Sequence, residues 1–265
     1  FQAEDGIRDF CLSRGLGDVY KRQDIYLADL EQSGVAHGLT DRSTDGVTGK
    51  CIVLITPDAE RSLNTHLGIS ETLSTDEVDE AAIKDSEWVY LEGYLVTSPT
   101  GHAAALKTKA LAEAHGVKTA VSFSDPGMVK FFRDNMAAMV EGGVELVFCN
   151  DSEALEWGQC DDLDTAIEAI KSVARRFVIT LGADGAVTWD GETLHRVAAK
   201  PVEAVNTNGA GDMFAGAFLY ALSRGEPDLR ATEYATLAAA EVVKYFGPRL
   251  ERDACLALRR QFFSD

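Results

Sequence analysis

The run Asn206-Thr207-Asn208-Gly209-Ala210-Gly211-Asp212 sets small residues and a carboxylate at the head of the apolar stretch MFAGAFLYAL. Met213, Phe214, Ala217, Phe218 and Ala221 share one broad face at the helical period, so the stretch reads as a helix anchored in a core. Small residues in its first turn let several backbone N–H groups approach an anion. The helix dipole adds about half a unit of positive charge at that end. The turn formed by Gly209, Ala210 and Gly211, with Asn208 beside it, is thus an anion hole suited to a phosphoryl group. Asp212 would stand next to that group, where it could accept the proton of an attacking hydroxyl. An ordinary Asp, with a pKa of about 3.9, is a weak base, but phosphoryl transfer through a loose transition state asks mainly for orientation and late proton removal. The alternative is a plain helix start with an N-terminal carboxylate, and the run alone leaves both open.

Two other constellations carry the same kind of chemistry. Asn150 and Glu153 lie one helical turn apart, so an amide and a carboxylate could face one site and organise Mg²⁺ through water, because Mg²⁺ dehydrates reluctantly. An N-cap with its capping-box partner explains the pair equally, and the two roles can coexist. In Ile179-Thr180-Leu181-Gly182-Ala183-Asp184-Gly185, Thr180 and Gly182 end a strand where open α/β sheets place ligands. Gly182 and Gly185 would let the backbone approach nucleotide phosphates, although an ordinary glycine-containing turn has the same pattern.

NTNGAGD resembles the D-T-x-G-A-G-D signature of the ribokinase family of carbohydrate and nucleoside kinases, the PfkB family. Asn150–Glu153 resembles its N-x-x-E motif, and Ile179–Gly185 its nucleotide-site strand and turn, in the family's order. TGKCIVLITPDAERSLNTHLG at Thr48–Gly68 is similar to the adenosine-kinase-like branch. The resemblance covers roughly Asp24 to the C-terminus. It implies a three-layer α/β/α fold with a largely parallel central sheet and a small β lid within about residues 45–70. It also implies ATP with Mg²⁺ and transfer of the γ-phosphoryl group to a primary hydroxyl of a nucleoside or sugar. Thr65, Leu67 and Tyr94 are the expected acceptor contacts. Ala239, with Ala238 and Val242, is expected along the adenine wall, where plain helix core is the competing reading. Asn206 stands where the family has Asp in a loop that in several members helps coordinate a monovalent cation, which leaves potassium activation open. A homodimer paired through the lids is a further expectation.

The elements that must position these residues follow from hydrophobic period. Apolar runs at Cys51–Thr56, Trp88–Gly93, Val117–Phe123, Val144–Cys149 and Phe177–Leu181 read as strands. Amphipathic stretches near Asp76–Lys84, Gly101–His115, Met128–Glu141 and Leu163–Ala174 read as helices between them, the alternation of an α/β fold with a largely parallel sheet. Three more helices begin near Ala210, Leu229 and Glu251. Asp190-Gly191 suits a type I′ hairpin within Ala186–Ala199. The β-like runs before and after Pro57–Arg61 could form a small sheet outside the main one. Asp125 ends a strand and could reach a ligand cleft, or serve only as a turn carboxylate before Pro126.

Residues 1–23 follow neither a period of 2 nor one of 3.6, and QAEDGIRD with VYKRQ resembles translated sequencing-adaptor sequence. They are expected to be a non-native or disordered leader before a single kinase domain at 24–265. Nothing before Asp24 resembles the family's opening strand or its Gly-Gly segment for acceptor hydroxyls. For a chain lacking them low stability or aggregation is expected, and the alternative to an active kinase is a non-catalytic nucleoside- or sugar-binding member of the fold, or an inactive truncated fragment.

The 265 residues are 46% hydrophobic, with 25 Lys and Arg against 43 Asp and Glu and a formal net charge of −18. Such a surface repels nucleic acid as a whole, while leaving local anion binding by backbone amides possible. The five cysteines form no C-x-x-C pair and are odd in number. They read as reduced thiols of a cytoplasmic protein rather than a disulfide framework or zinc site. No apolar run is long enough to cross a membrane. DGVTGKC at Asp45–Cys51 lacks the leading glycine of a P-loop, no G-x-G-x-x-G follows an early strand, and no two histidines are spaced for a metal on one helix.

Overall fold

The computed structural model describes residues 28, 30–36, 46, 47, 49–55 and 61–263. The proposed leader and the loop at 56–60 lie outside the described residues. Two compact units divide the chain: Thr72–Lys200 with Tyr220–Thr236, and Phe1–Glu71 with Pro201–Leu219 and Leu237–Asp265.

The unit containing Thr72–Lys200 is built on a six-stranded sheet in chain order, β3 Trp88–Glu92, β4 Lys118–Ser122, β5 Val144–Asn150, β6 Ala174–Thr180, β7 Ala186–Trp189 and β8 Leu194–Val197. β3 to β6 are parallel, whereas β7 and β8 are antiparallel. The helices are α1 Glu80–Lys84, α2 Pro99–His115, α3 Pro126–Phe131, α4 Arg133–Val140, α5 Asp151–Gly158 and α6 Leu163–Lys171. Strand β5 is buried over Leu146–Cys149, as a parallel strand covered on both faces must be. Its core partners include Phe123, Met136, Ile170 and Phe177, with Phe123 and Trp157 rings 5.1 Å apart. Chain ends of the helices are set by local chemistry. Ser98 accepts from Gly101 N and Pro99 opens α2, which Gly116 closes at φ 70°, where only glycine is unstrained.

Four sequence expectations change here. The stretch Met128–Glu141 is two helices, broken at Phe132, because Asp125 caps a separate turn and Arg133 donates to the carbonyls of Glu156 and Trp157 at the end of α5. Strand β6 starts at Ala174 rather than Phe177, carrying Arg175 and Arg176. Their charge hides the strand from a hydrophobic pattern, and Glu145 on the neighbouring strand and Asp228 form ion pairs with Arg176. The Asp190-Gly191 hairpin closes through a four-residue loop, since Asp190 Oδ1 accepts from both Glu192 N and Thr193 N, instead of a two-residue type I′ turn. Asp76–Lys84 is shortened to a 3₁₀ turn at Thr75–Glu77 and then α1.

The other unit carries β1 Lys50–Ile55 and β2 Arg61–His66, an antiparallel pair separate from the large sheet, as the two β-like runs suggested. It also holds the start of α7 Ala210–Ser223, the end of α8 Asp228–Val242, and α9 Arg252–Phe263. Cys51, Cys149, Cys160 and Cys255 are free thiols. No helix among the described residues is long and apolar enough to cross a membrane.

Candidate active site

Helix α7 begins at Ala210, with Phe214, Ala217, Phe218 and Ala221 buried on its core face. Its first helical bond runs from Met213 N to Gly209 O at 2.8 Å. The amides of the first turn therefore have no intrahelical acceptor. Gly209 adopts φ 77°, and a methyl there would stand 1.9 Å from Pro248 O. The close approach it permits is to the chain at Pro248. Gly211 differs: a methyl added there would meet nothing within 4 Å, and the residue is exposed. Asp212, also exposed, follows in the first turn.

Asn206 and Asn208 of the turn are buried. Asn206 Oδ1 accepts from Asn208 N at 3.0 Å, and both Val205 N and Asn206 N donate to Val243 O. The Nδ2 donors of Asn206 and Asn208 are buried with no acceptor among the described residues. Unsatisfied buried donors are costly, so this turn carries spare positive hydrogen-bonding capacity. Of the three expected adenine-wall residues, Ala238 and Val242 are fully buried core, as the competing reading had it, and only Ala239 keeps accessible surface.

In the unit of the large sheet, Asn150 and Thr180 are register partners at the carboxyl ends of β5 and β6. Asn150 and Glu153 form a complete capping box. Asn150 N donates to Glu153 Oε2 at 2.9 Å, Asn150 Nδ2 donates to Oε1 at 2.8 Å, and Glu153 N donates to Asn150 Oδ1 at 2.8 Å. With both carboxylate oxygens engaged and Glu153 4% exposed, the pair fits a hydrated Mg²⁺ held through water better than a directly ligated ion. No group of three or more His, Cys, Asp or Glu suited to a metal occurs among the described residues. Thr180 hydroxyl donates to Cys149 O at 3.5 Å. Gly182 opens a 3₁₀ turn at φ 56° with free space around it. Gly185, at φ 97°, would put a methyl 2.0 Å from Val197 O, so it is glycine because β8 passes against it.

Thr65 on β2 donates to Cys51 Sγ at 3.3 Å and, like Leu67, is exposed in one unit, while the exposed Tyr94 belongs to the other. Tyr94 hydroxyl donates to Ser124 O at 3.3 Å. Asp125 caps α3 by accepting from Gly127 N at 2.7 Å, which is the turn role foreseen for it. Sequence reasoning passed over Glu92 and Ser124. Their signals were a carboxylate closing the apolar run WVYL and a serine between strand and Asp-Pro.

Residues 20–255 match the model of the pfkB family carbohydrate kinases. The chain belongs to that family. Within it, the adenosine kinase of Saccharomyces cerevisiae is 28% identical over 238 residues, 84% of this chain and 68% of that enzyme. The adenosine kinase of Schizophyllum commune is 30% identical over 227 residues, 77% of this chain and 65% of that enzyme. This pfkB chain therefore spans about two thirds of the length of these relatives. The crystal structure of adenosine kinase from Sinorhizobium meliloti superposes with a TM-score of 0.86 at 31% identity, covering 90% of this chain and 74% of that one. An adenosine-kinase-like member with a ribokinase-like α/β fold is what these likenesses support.

Proposed function

We propose that the chain is an ATP-dependent phosphotransferase that moves the γ-phosphoryl group to a primary hydroxyl of a nucleoside of the adenosine type, or of a sugar. The observation that carries this reading is the head of α7: a glycine turn packed against Pro248, an open exposed Gly211, a helix N-terminus whose buried neighbours Asn206 and Asn208 keep unpaired Nδ2 donors among the described residues, and a carboxylate at Asp212. Gly209, Ala210 and Gly211 hold the transferring phosphoryl group, whose charge the helix N-terminus offsets. Asp212 takes the acceptor's hydroxyl proton as the oxygen attacks phosphorus and ADP leaves. Asn208 supplies a further donor, and Ala239 an apolar contact for the base. Thr180, Gly182 and Gly185 would serve the nucleotide, and Asn150 with Glu153 would hold Mg²⁺ through its water shell. The metal would neutralise charge on the phosphates. Thr65, Leu67 and Tyr94 contact the acceptor. The unpaired cysteines fit a reducing cytoplasm.

The test is ADP release with adenosine, inosine, ribose and fructose, for wild type and Asp212→Asn. A fall in kcat of about 10²–10⁴-fold for the variant, with the fold intact, is the expected result. A chain that binds adenosine, releases no ADP with any acceptor and is indifferent to Asp212→Asn is a binding protein, and the kinase reading fails.

A further inference from the structure

At the carboxyl ends of β3 and β4 a single hydroxyl joins two loops. Ser124 Oγ donates to Glu92 Oε2 at 2.8 Å and accepts from Gly93 N at 2.8 Å. Its backbone N donates to Ser122 Oγ at 3.1 Å, and its carbonyl accepts from Tyr94 hydroxyl at 3.3 Å. Ser124 has φ 67°, one of two non-glycine residues with positive φ among the described residues. That conformation costs roughly 1–2 kcal/mol for an L residue and persists only where its surroundings over-determine it. The two loops are also forced together, because a methyl on Gly93 would stand 2.6 Å from Phe123 O and 2.8 Å from Ser122 O.

Glu92 itself is held at a cost. Its Oε1 is buried with no hydrogen-bond partner among the described residues. Burial raises the pKa of its carboxyl, against the donors Ser124 and Tyr90, which lower it. A residue that lowers stability in this way, at the ends of parallel strands where α/β folds hold ligands, is better explained by the loop it fixes than by the core it occupies. Tyr94 is the exposed side chain tied to that loop.

We infer that Glu92 is a positioning residue for the acceptor: by accepting from Ser124 it locks the Gly93–Tyr94 and Ser124–Gly127 loops in the geometry that presents Tyr94. This rests on the phosphotransferase reading and adds to it a residue and a direction of effect. In the sheet order β3-β4-β5-β6, the lock sits on β3 and β4, while the nucleotide candidates Asn150 and Thr180 sit on β5 and β6. At about 4.8 Å per strand, β3 and β6 are on the order of 14 Å apart, so the lock acts on the acceptor and not on ATP.

The experiment compares Glu92→Ala and Glu92→Gln for KM of adenosine and of ATP, with hydrogen exchange over residues 93–97 and 122–127. The Gln amide oxygen can still accept from Ser124, whereas Ala cannot. Glu92→Ala is expected to raise the adenosine KM about tenfold, leave the ATP KM within about twofold, and speed exchange in both segments. Glu92→Gln should recover most of that loss and, being neutral, melt higher than wild type at pH 7. Wild-type adenosine KM in Glu92→Ala, a parallel rise in both KM values, or a Gln variant as impaired as Ala overturns the inference while leaving the kinase reading intact. If wild type binds none of adenosine, inosine, ribose and fructose by calorimetry, the kinase reading falls first and the role of Glu92 with it.

Discussion

Gly209→Ala and Gly211→Ala make opposite demands on the same turn, and together they test whether it is an anion site. At Gly209 an added methyl would lie 1.9 Å from Pro248 O and 2.5 Å from Pro248 C and Cα, all backbone. An ordinary contact is about 3.5 Å, so the two chains must part by roughly 1.5 Å. To that overpacking, typically about 1–3 kcal/mol, is added roughly 1–2 kcal/mol for alanine at φ 77°. A loss of about 2–5 kcal/mol lowers the Tm by roughly 6–15 °C for a chain of this size. Because displacement of reacting groups by about 1 Å costs on the order of 10²-fold in rate, kcat/KM should fall at least that far. Gly211→Ala meets no atom and lies in helix α7, where alanine gains up to about 1 kcal/mol over glycine. It should melt at or slightly above the wild-type temperature, yet lose about tenfold or more in kcat/KM, because the methyl is added to the turn proposed to hold the phosphoryl group. Differential scanning calorimetry beside an ADP-release assay reads both. A fully active Gly211→Ala would refute the anion-hole assignment, and an unshifted Tm in Gly209→Ala would refute the packing argument.

Other perturbations follow from charge. Arg176→Met strips the partner from buried Asp228, 2.7 Å away, and from Glu145, and should cost about 3–5 kcal/mol in denaturant unfolding. A loss under about 1 kcal/mol would show that solvent already screens the cluster. Asn206→Asp keeps the acceptor for Asn208 N but buries a carboxylate, so the variant should melt lower than wild type in sodium-free, potassium-free buffer and recover on adding potassium. Equal melting with and without the ion counts against a cation role for this position. Asp190 is pulled down to about 2 by hydrogen bonds from Thr193, then His195, then Glu192. A depressed carboxylate stabilises the fold fully above its ordinary value of 3.8 and loses that contribution as pH falls toward 2. Asp190→Asn should flatten this part of the acid-unfolding curve, and an unchanged curve would mean that other carboxylates govern it.

The candidate site was legible where local chemistry and backbone demand coincide. Gly209, Gly211 and Asp212 stood out because a glycine-rich helix start means the same thing at any place in a fold, and the alternation of apolar runs gave β3 to β6 and α2. The break at Phe132 and the early start of β6 were not legible, since each depends on a partner far along the chain: the carbonyls of Glu156 and Trp157 for Arg133, and Asp228 for Arg176. Period alone cannot register a charge that is satisfied elsewhere.

By itself the sequence determined the chemistry available: a glycine-rich helix start suited to an anion, a carboxylate beside it, a capping box after β5 and a family to which all three belong. Only the tertiary structure decided which glycine does what. Gly209 and Gly185 are glycine because Pro248 and Val197 pass within 2.0 Å of where a methyl would be, while Gly211 is open to solvent. It also brought out Glu92, ordinary in sequence as the last residue of an apolar strand. Its meaning appears only when β4 returns alongside β3 and delivers Ser124 to its carboxylate, because a hydrogen bond between residues 32 positions apart is set by the sheet and not by the chain.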